Sequence, residues 1–380
     1  MCARYRGRGR STPDAGPTGI PAPRGVTGVI PGNPTPGRAA NYAWQVASSI
    51  PTGGPVPLRQ WPAARLHVVT GKGGTGKTTV AAALALALAS GGRRTLLVEV
   101  EGRQGIAQLF DTPPLPYEER RIAVAPGGGE VRALAIDPEQ ALLEYLELFY
   151  NLRRAGRMLK RMGAVDFATT AAPGVRDVLL IGKVKEATTR VLDGERVYDA
   201  VVLDGPPTGR IGRFLNVTAE VAGLARMGPI KTQSDGVTAL LRSGLTAVHV
   251  VTALEEMPVQ ETVDAVDELR RLELSVGTLV VNMTRPSLLP QSEVARIAAG
   301  GVELARLREG LVAAGLPDRY AAGLAAEAVE HAVRIGLEQD NRRTVARLGM
   351  PTYELPLLPG PVDLGALYEL AQRLIDQGVG

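Results

Sequence analysis

From about residue 63 onward, short β-branched and apolar runs alternate with stretches of helical periodicity. Six runs predict buried strands: Leu66–Thr70, Thr95–Val100, Ala200–Asp204, Ala247–Thr252, Thr278–Asn282 and Thr352–Leu357. Arg121–Ala125 and Val131–Ile136, joined by Pro126-Gly127-Gly128-Gly129, predict a hairpin at one edge. Strands separated by helices imply an α/β fold, a mostly parallel sheet with helices on both faces.

The helical signals are uneven. Thr78 to Ser90 reads as a helix stopped by Gly91-Gly92, and Asp137-Pro138-Glu139 opens another with an acidic cap and a proline at its first position. Apolar positions at Leu142, Leu143, Tyr145, Leu146, Leu148 and Phe149, then Met158, Leu159 and Met162, then Val178 to Ile181 and Val184, extend the pattern. A further interval runs from Phe214 to about Leu241. These predict a helical subdomain made by insertions at about 138–190 and 212–245. Methionines and leucines at such spacing, Met158, Met162, Met227 and Met257 among them, are more often core than a client groove.

The chemistry concentrates between the first strand and its helix. Gly71-Lys72-Gly73-Gly74-Thr75-Gly76-Lys77-Thr78 fits G-x-x-x-x-G-K-[ST], with the strand before and the helix after that this phosphate-cradling loop requires. Its glycines let backbone N–H groups turn inward on phosphate oxygens, and the helix start adds its positive dipole end. Lys77 is the residue for the β/γ-phosphates and the Thr78 hydroxyl for Mg²⁺. The chain has only six lysines among 43 basic residues, and two of them, Lys72 and Lys77, stand in this loop. That placement points to a compact ammonium rather than a guanidinium. Val201-Val202-Leu203-Asp204 ends a second buried strand in a carboxylate suited to orienting the metal through water, and Gly205-Pro206-Pro207-Thr208-Gly209-Arg210 follows as a loop rich in small and stiff residues.

Charge and cysteine narrow the classes. The net charge of +4 is misleading, because residues 1–65 carry eight arginines against Asp14 alone, leaving 35 basic and 38 acidic residues beyond. The basic excess belongs to an Arg/Pro/Gly-rich extension over residues 1–62 that reads as disordered, and the folded part gives no electrostatic case for nucleic acid. No run approaches the roughly 18 apolar residues of a membrane span, so an integral membrane protein is not expected. The sole cysteine, Cys2, excludes a disulfide scaffold and a cysteine-held metal site within one chain. The compartment is most simply the cytoplasm.

Lys72-Gly73-Gly74-Thr75-Gly76-Lys77-Thr78-Thr79 resembles the deviant phosphate loop K-G-G-x-G-K-T-T of arsenite-pump ATPase subunits, tail-anchored-protein targeting ATPases, MinD/ParA positioning ATPases and nitrogenase iron protein. The run from Asp204 to Gly209 resembles the D-x-x-P-T-G-H switch of the first two groups. The likeness continues through Val251-Thr252, Pro258 to Thr262, Val280 to Asn282, and Leu355 to Leu358 followed by Leu364 to Leu367, covering residues 65–378. It implies a dimeric ATP- and Mg²⁺-dependent ATPase that opens and closes to act on a hydrophobic protein client or a membrane-protein partner. Lys72 would reach the partner's phosphates, the dimer being a homodimer or a heterodimer with a paralogous ATPase. Asn282 and the loop at Pro356 and Leu357 would hold adenine, and Glu255 would meet nucleotide near the interface.

Departures accompany the likeness. Relatives read D-P-A-x-N in the first switch, where this chain has Glu101-Gly102-Arg103-Gln104-Gly105. Glu101 is the best candidate to orient the attacking water, one methylene further out; Glu99 near the metal is the alternative. Arg210 stands where relatives have His, and no soft ligands for As(III) occur outside the tail. Two other readings stay open: a weakly catalytic nucleotide-binding subunit beside an active paralogue, and a MinD/ParA-like positioning ATPase. The second would want a basic amphipathic C-terminal helix, whereas Asp363–Asp376 carries three acids and one arginine.

Overall fold

The computed structural model describes residues 61–150, 173–216 and 229–380. Residues 1–60, Met158 to Met162 and Met227 lie outside them, so the expectations placed there have no structural counterpart.

β1 (Leu66–Gly71) runs into α1 (Lys77–Ala89), and β2 (Arg94–Glu99) into the short α2 (Gly105–Leu109). β3 (Arg120–Val124) and β4 (Glu130–Ala135) form the predicted hairpin, followed by α3 (Pro138–Tyr150) and α4 (Pro173–Thr189). A two-residue ribbon, β5 (Val191–Leu192) with β6 (Glu195–Arg196), leads to β7 (Ala200–Asp204), α5 (Thr208–Leu215) and α6 (Pro229–Leu241). Then come β8 (Thr246–Thr252), α7 (Glu256–Arg271) and β9 (Val276–Thr284). α8 (Gln291–Ala298), α9 (Leu304–Ala313) and α10 (Ala321–Ala346) precede β10 (Thr352–Pro356) and α11 (Leu364–Asp376).

Eight strands make one sheet in the order β10-β9-β8-β1-β7-β2-β4-β3, parallel throughout except for the β3–β4 pair. The chain leaves β1 towards β2 on one side and leaves β7 towards β8 on the other. The loops therefore part at the carboxyl ends of the central strands, where α/β sheets bind ligands.

Each strand sends alternate residues to opposite faces. Val68, Val98, Leu203 and Val250 share a core with α4, α5, α6 and α7. Val69, Leu97, Val202 and Val251 share the other with α1 and α11. Val80–Ala89 of α1 is buried at every position, so a helix apolar all round lies between the sheet and α11. Its alternating alanine and leucine keep the side chains thin enough for that double contact.

Two features depart from the sequence reading. α5 begins at Thr208, inside the run read as a loop, because Pro207 ends the extended segment and Ile211, Phe214 and Leu215 give it a buried face. Between β9 and β10, where no element was expected, α8 and α10 pack through Val294, Ile297, Ala332 and Ile335, a cluster separate from both main cores. α10 joins the main body at its far end, where Val345 enters the core and Asn341 Nδ2 donates to the Leu254 carbonyl at 3.2 Å.

Candidate nucleotide site

The glycine loop is held from three sides. Gly71 lies so close to β8 that a Cβ there would stand 2.2 Å from the Val251 carbonyl oxygen. Gly76 caps α1 in the left-handed region at φ 82°, and a Cβ there would meet Asn282 Nδ2 at 2.4 Å. That same Nδ2 donates to the Thr75 carbonyl at 2.9 Å, so β9 supports the loop through a buried amide. Thr75 is 2 % exposed and its hydroxyl donates to the Lys72 carbonyl at 2.8 Å, closing the turn on itself. Gly73 and Gly74 are exposed at its crown, and Thr79 continues the first turn of α1 half-buried.

Beneath the crown the charged groups converge. The Thr78 hydroxyl donates to Asp204 Oδ2 at 2.7 Å, while Asp204 Oδ1 is buried with no hydrogen-bond partner. Burial pushes the Asp204 carboxyl up to about 6, against the pull of the Thr78 hydrogen bond and the Lys77 charge. Lys77 is itself held below its ordinary value by desolvation, which Asp204 and Glu101 partly offset. An orphaned carboxylate oxygen beside a threonine hydroxyl suits a hard, oxygen-preferring cation that takes few protein ligands. Thr78 and Asp204 therefore fit Mg²⁺.

Glu99 lies in register beside Asp204 and is 3 % exposed. Its Oε1 accepts from the Gln104 N–H at 2.5 Å and its Oε2 from the Ile106 N–H at 3.3 Å, so it ties down the start of α2. Glu99 thus neighbours the proposed metal residue Asp204 on the adjacent strand, with both of its oxygens engaged by backbone N–H groups. Glu101 instead sits at the rim of a 220 Å³ cavity formed with Arg103, Arg176, Pro206 and Arg210. Its Oε1 lies 3.3 Å from Arg210 Nη1 and its Oε2 3.3 Å from Arg103 Nη2.

Lys72 does not point into solvent. Its Nζ donates to Glu261 Oε1 on α7 at 2.6 Å, and Thr208 at the start of α5 donates to Glu261 Oε2 at 3.0 Å. The Lys72 contact, reinforced by Thr208, holds the Glu261 carboxyl below the usual range. Glu261 received no role from the sequence, although topology supplies a signal: β8 neighbours β1, so the helix after β8 overhangs the loop after β1. Thr70 adds a further tie, donating to the Pro206 carbonyl at 2.7 Å.

The remaining candidates lie along the same sheet edge without closing on the loop. Pro356 pairs in register with Thr284, and the Leu357 N–H donates to the Thr284 carbonyl at 2.9 Å. Both lie at the carboxyl end of β10, beside the end of β9 that carries Asn282. Glu255 is exposed at the N-cap of α7 and makes no side-chain capping bond.

Residues 64–243, which include the loop and the Asp204 strand, match the family model described as anion-transporting ATPase. The chain is also 56 % identical over 327 residues to ATPase BagA of Mycobacterium tuberculosis, covering 84 % of this chain and 96 % of that protein. This chain belongs to the anion-transporting ATPase family. More distant relatives include an arsenical pump-driving ATPase of Acidiphilium multivorum, 27 % identical over 65 % of this chain and 43 % of that one. ATPase get3 of Schizosaccharomyces japonicus is 30 % identical over 44 % of this chain and 51 % of that one. A family built on nucleotide-binding ATPases accords with the loop, the strand-end carboxylate and the parallel sheet. No helix among the described residues is long and apolar enough to cross a membrane.

Proposed function

We propose that this member of the family binds and hydrolyses ATP with Mg²⁺ in the cytoplasm, working as a two-subunit unit that opens and closes on a protein or membrane-associated client. The observation that carries this reading is the Thr78–Asp204 contact with its orphaned Oδ1, set under a loop in which Gly71 and Gly76 leave no room for a side chain. Lys77 neutralises the β/γ-phosphate end, and Thr78 with Asp204 would hold the cation. Once bound, the cation draws charge from the phosphate oxygens. Asn282, Pro356 and Leu357 flank the base, Glu255 stands towards the subunit interface, and Glu101 orients the attacking water.

Lys72 exchanges its own chain's Glu261 for the partner's phosphates. Both members of that pair are partly exposed, at 28 % and 35 %, so breaking it costs no more than about 1 kcal/mol. Because Glu261 also holds Thr208, the exchange is felt at the loop after Asp204, which senses loss of the γ-phosphate.

Single-turnover hydrolysis tests the reading. Glu101→Gln is expected to slow the step roughly 10²-fold or more while nucleotide binding is kept. A variant as fast as the parent removes the base. One observation favours a second reading, the weakly catalytic partner of a paralogous ATPase: both Glu101 oxygens are already engaged by arginines. In that case the chain alone turns over no faster than its Glu101→Gln variant, and adding the paralogue restores the rate. A MinD/ParA-like role gains no support from α11, whose Leu367, Leu370, Ala371 and Leu374 are buried against the body.

A further inference from the structure

The two departures from the family's switch patterns meet in space. Glu101 lies in the loop after β2 and Arg210 in the first turn of α5, 109 positions apart, yet carboxylate and guanidinium are 3.3 Å from each other. The Glu101 side chain is only 17 % exposed, and its charge is felt by both Lys77 and Asp204. It therefore stands within electrostatic reach of the phosphate-binding groups, lining a cavity with Pro206 and Arg210. A glutamate has one more rotatable bond than an aspartate, and an unanchored carboxylate there samples positions too loose for a water-orienting group.

From this geometry we infer that Arg210 is a positioning residue for Glu101, fixing the longer side chain at the cavity rim where the attacking water stands. The inference rests on Glu101 acting as the base. Arg103 cannot do the same work. Both arginines are exposed, at 72 % for Arg103 and 59 % for Arg210, but Arg103 sits two residues from Glu101 in the same loop and moves with the carboxylate it touches. Arg210 comes from a different element, and that element is itself fixed: Thr208, at the start of the same turn, bonds Glu261, which holds Lys72. One helical turn thus links the first switch to the phosphate loop.

The test is hydrolysis by the full chain with Mg²⁺ and ATP in single-turnover and steady-state modes. Arg210→Ala is expected to lower kcat on the order of 10- to 100-fold, with KM for ATP within about twofold. Arg210→Lys should recover part of the rate, whereas Arg103→Ala should lose less than about threefold, because Arg103 shares the loop of the carboxylate and cannot anchor it from outside. Combined with Glu101→Gln, Arg210→Ala should add nothing, since it acts only through that carboxylate. Thermal unfolding of each variant separates a folding defect from a positioning one. If Arg210→Ala keeps the parent's kcat while Glu101→Gln is slow, the positioning role falls and the base survives. Independent, multiplying effects of the two substitutions also overturn it. If Glu101→Gln is as fast as the parent, both readings fall together.

Discussion

His67 and His249 form a buried pair on adjacent strands, β1 and β8, remote from the glycine loop. His67 Nδ1 lies 3.0 Å from His249 Nε2, and His249 Nδ1 lies 2.8 Å from Thr278 Oγ1. Trp61 stacks over both rings, with centroids 5.6 and 4.6 Å away. Two neutral imidazoles suffice for this chain of contacts from Thr278 through His249 to His67. A proton added to either ring places a charge in a site with no carboxylate among its hydrogen-bond partners. Burial lowers His67 from 6.5 to about 4 and drives His249 well below its ordinary value. The folded state therefore favours the neutral rings, and the unfolded chain takes up protons below about 6.5. The histidine part of the stability is full above that pH and is lost as pH falls below about 6.5, at roughly 1 kcal/mol per pH unit for a ring that stays neutral, the His67 part down to about 4. Asp204, with its raised value, acts in the opposite sense, so the histidine part is read by difference. Urea denaturation at pH 7.5 and 5.0 should show a steeper loss for the parent than for His249→Gln. Equal slopes would contradict this account.

At the scale of elements, α11 illustrates how a helix is specified. Asp363 Oδ1 accepts from the Ala366 N–H at 2.8 Å, and Leu367, Leu370, Ala371 and Leu374 face α1. Leu374→Ala should cost about 2–4 kcal/mol through the cavity it leaves, and Asp363→Ala about 1 kcal/mol through the lost cap. Denaturant titration checks both, and a Leu374→Ala cost below about 0.5 kcal/mol would show that the helix is not anchored there. The apolar stripe of this helix was legible because it is local. So were the buried strands, the edge hairpin and the loop from Gly71 to Thr78, each carried by neighbouring residues. α8 to α10 were not. α10 has only Ala321, Ala332, Ile335 and Val345 buried along 26 residues, too sparse a stripe to stand out among alanine, arginine and glutamate. The Glu101–Arg210 and Lys72–Glu261 pairs were illegible for a different reason. Their members are 109 and 189 positions apart, and only the strand order brings their loops together.

Across the whole molecule, strand order accounts for the site. β1 is central, flanked by β7 and β8, so its loop is reached by Asp204 from one side and by the Glu261 helix from the other. β2 delivers Glu101 beyond β7, and β9 delivers Asn282 beyond β8. The phosphate end and the proposed adenine end thus lie along one edge of one sheet. The central claim is that this edge grips a magnesium nucleotide through the glycine loop. Isothermal titration calorimetry of the full chain with ATP, with and without Mg²⁺, tests it most directly, with Lys77→Ala as comparison. The account predicts about one nucleotide per chain, tighter with Mg²⁺, and at least tenfold weaker binding in Lys77→Ala, matching loss of a charge-assisted contact of roughly 1.5–3 kcal/mol. No measurable heat from the parent, or equal affinity in Lys77→Ala, would contradict it.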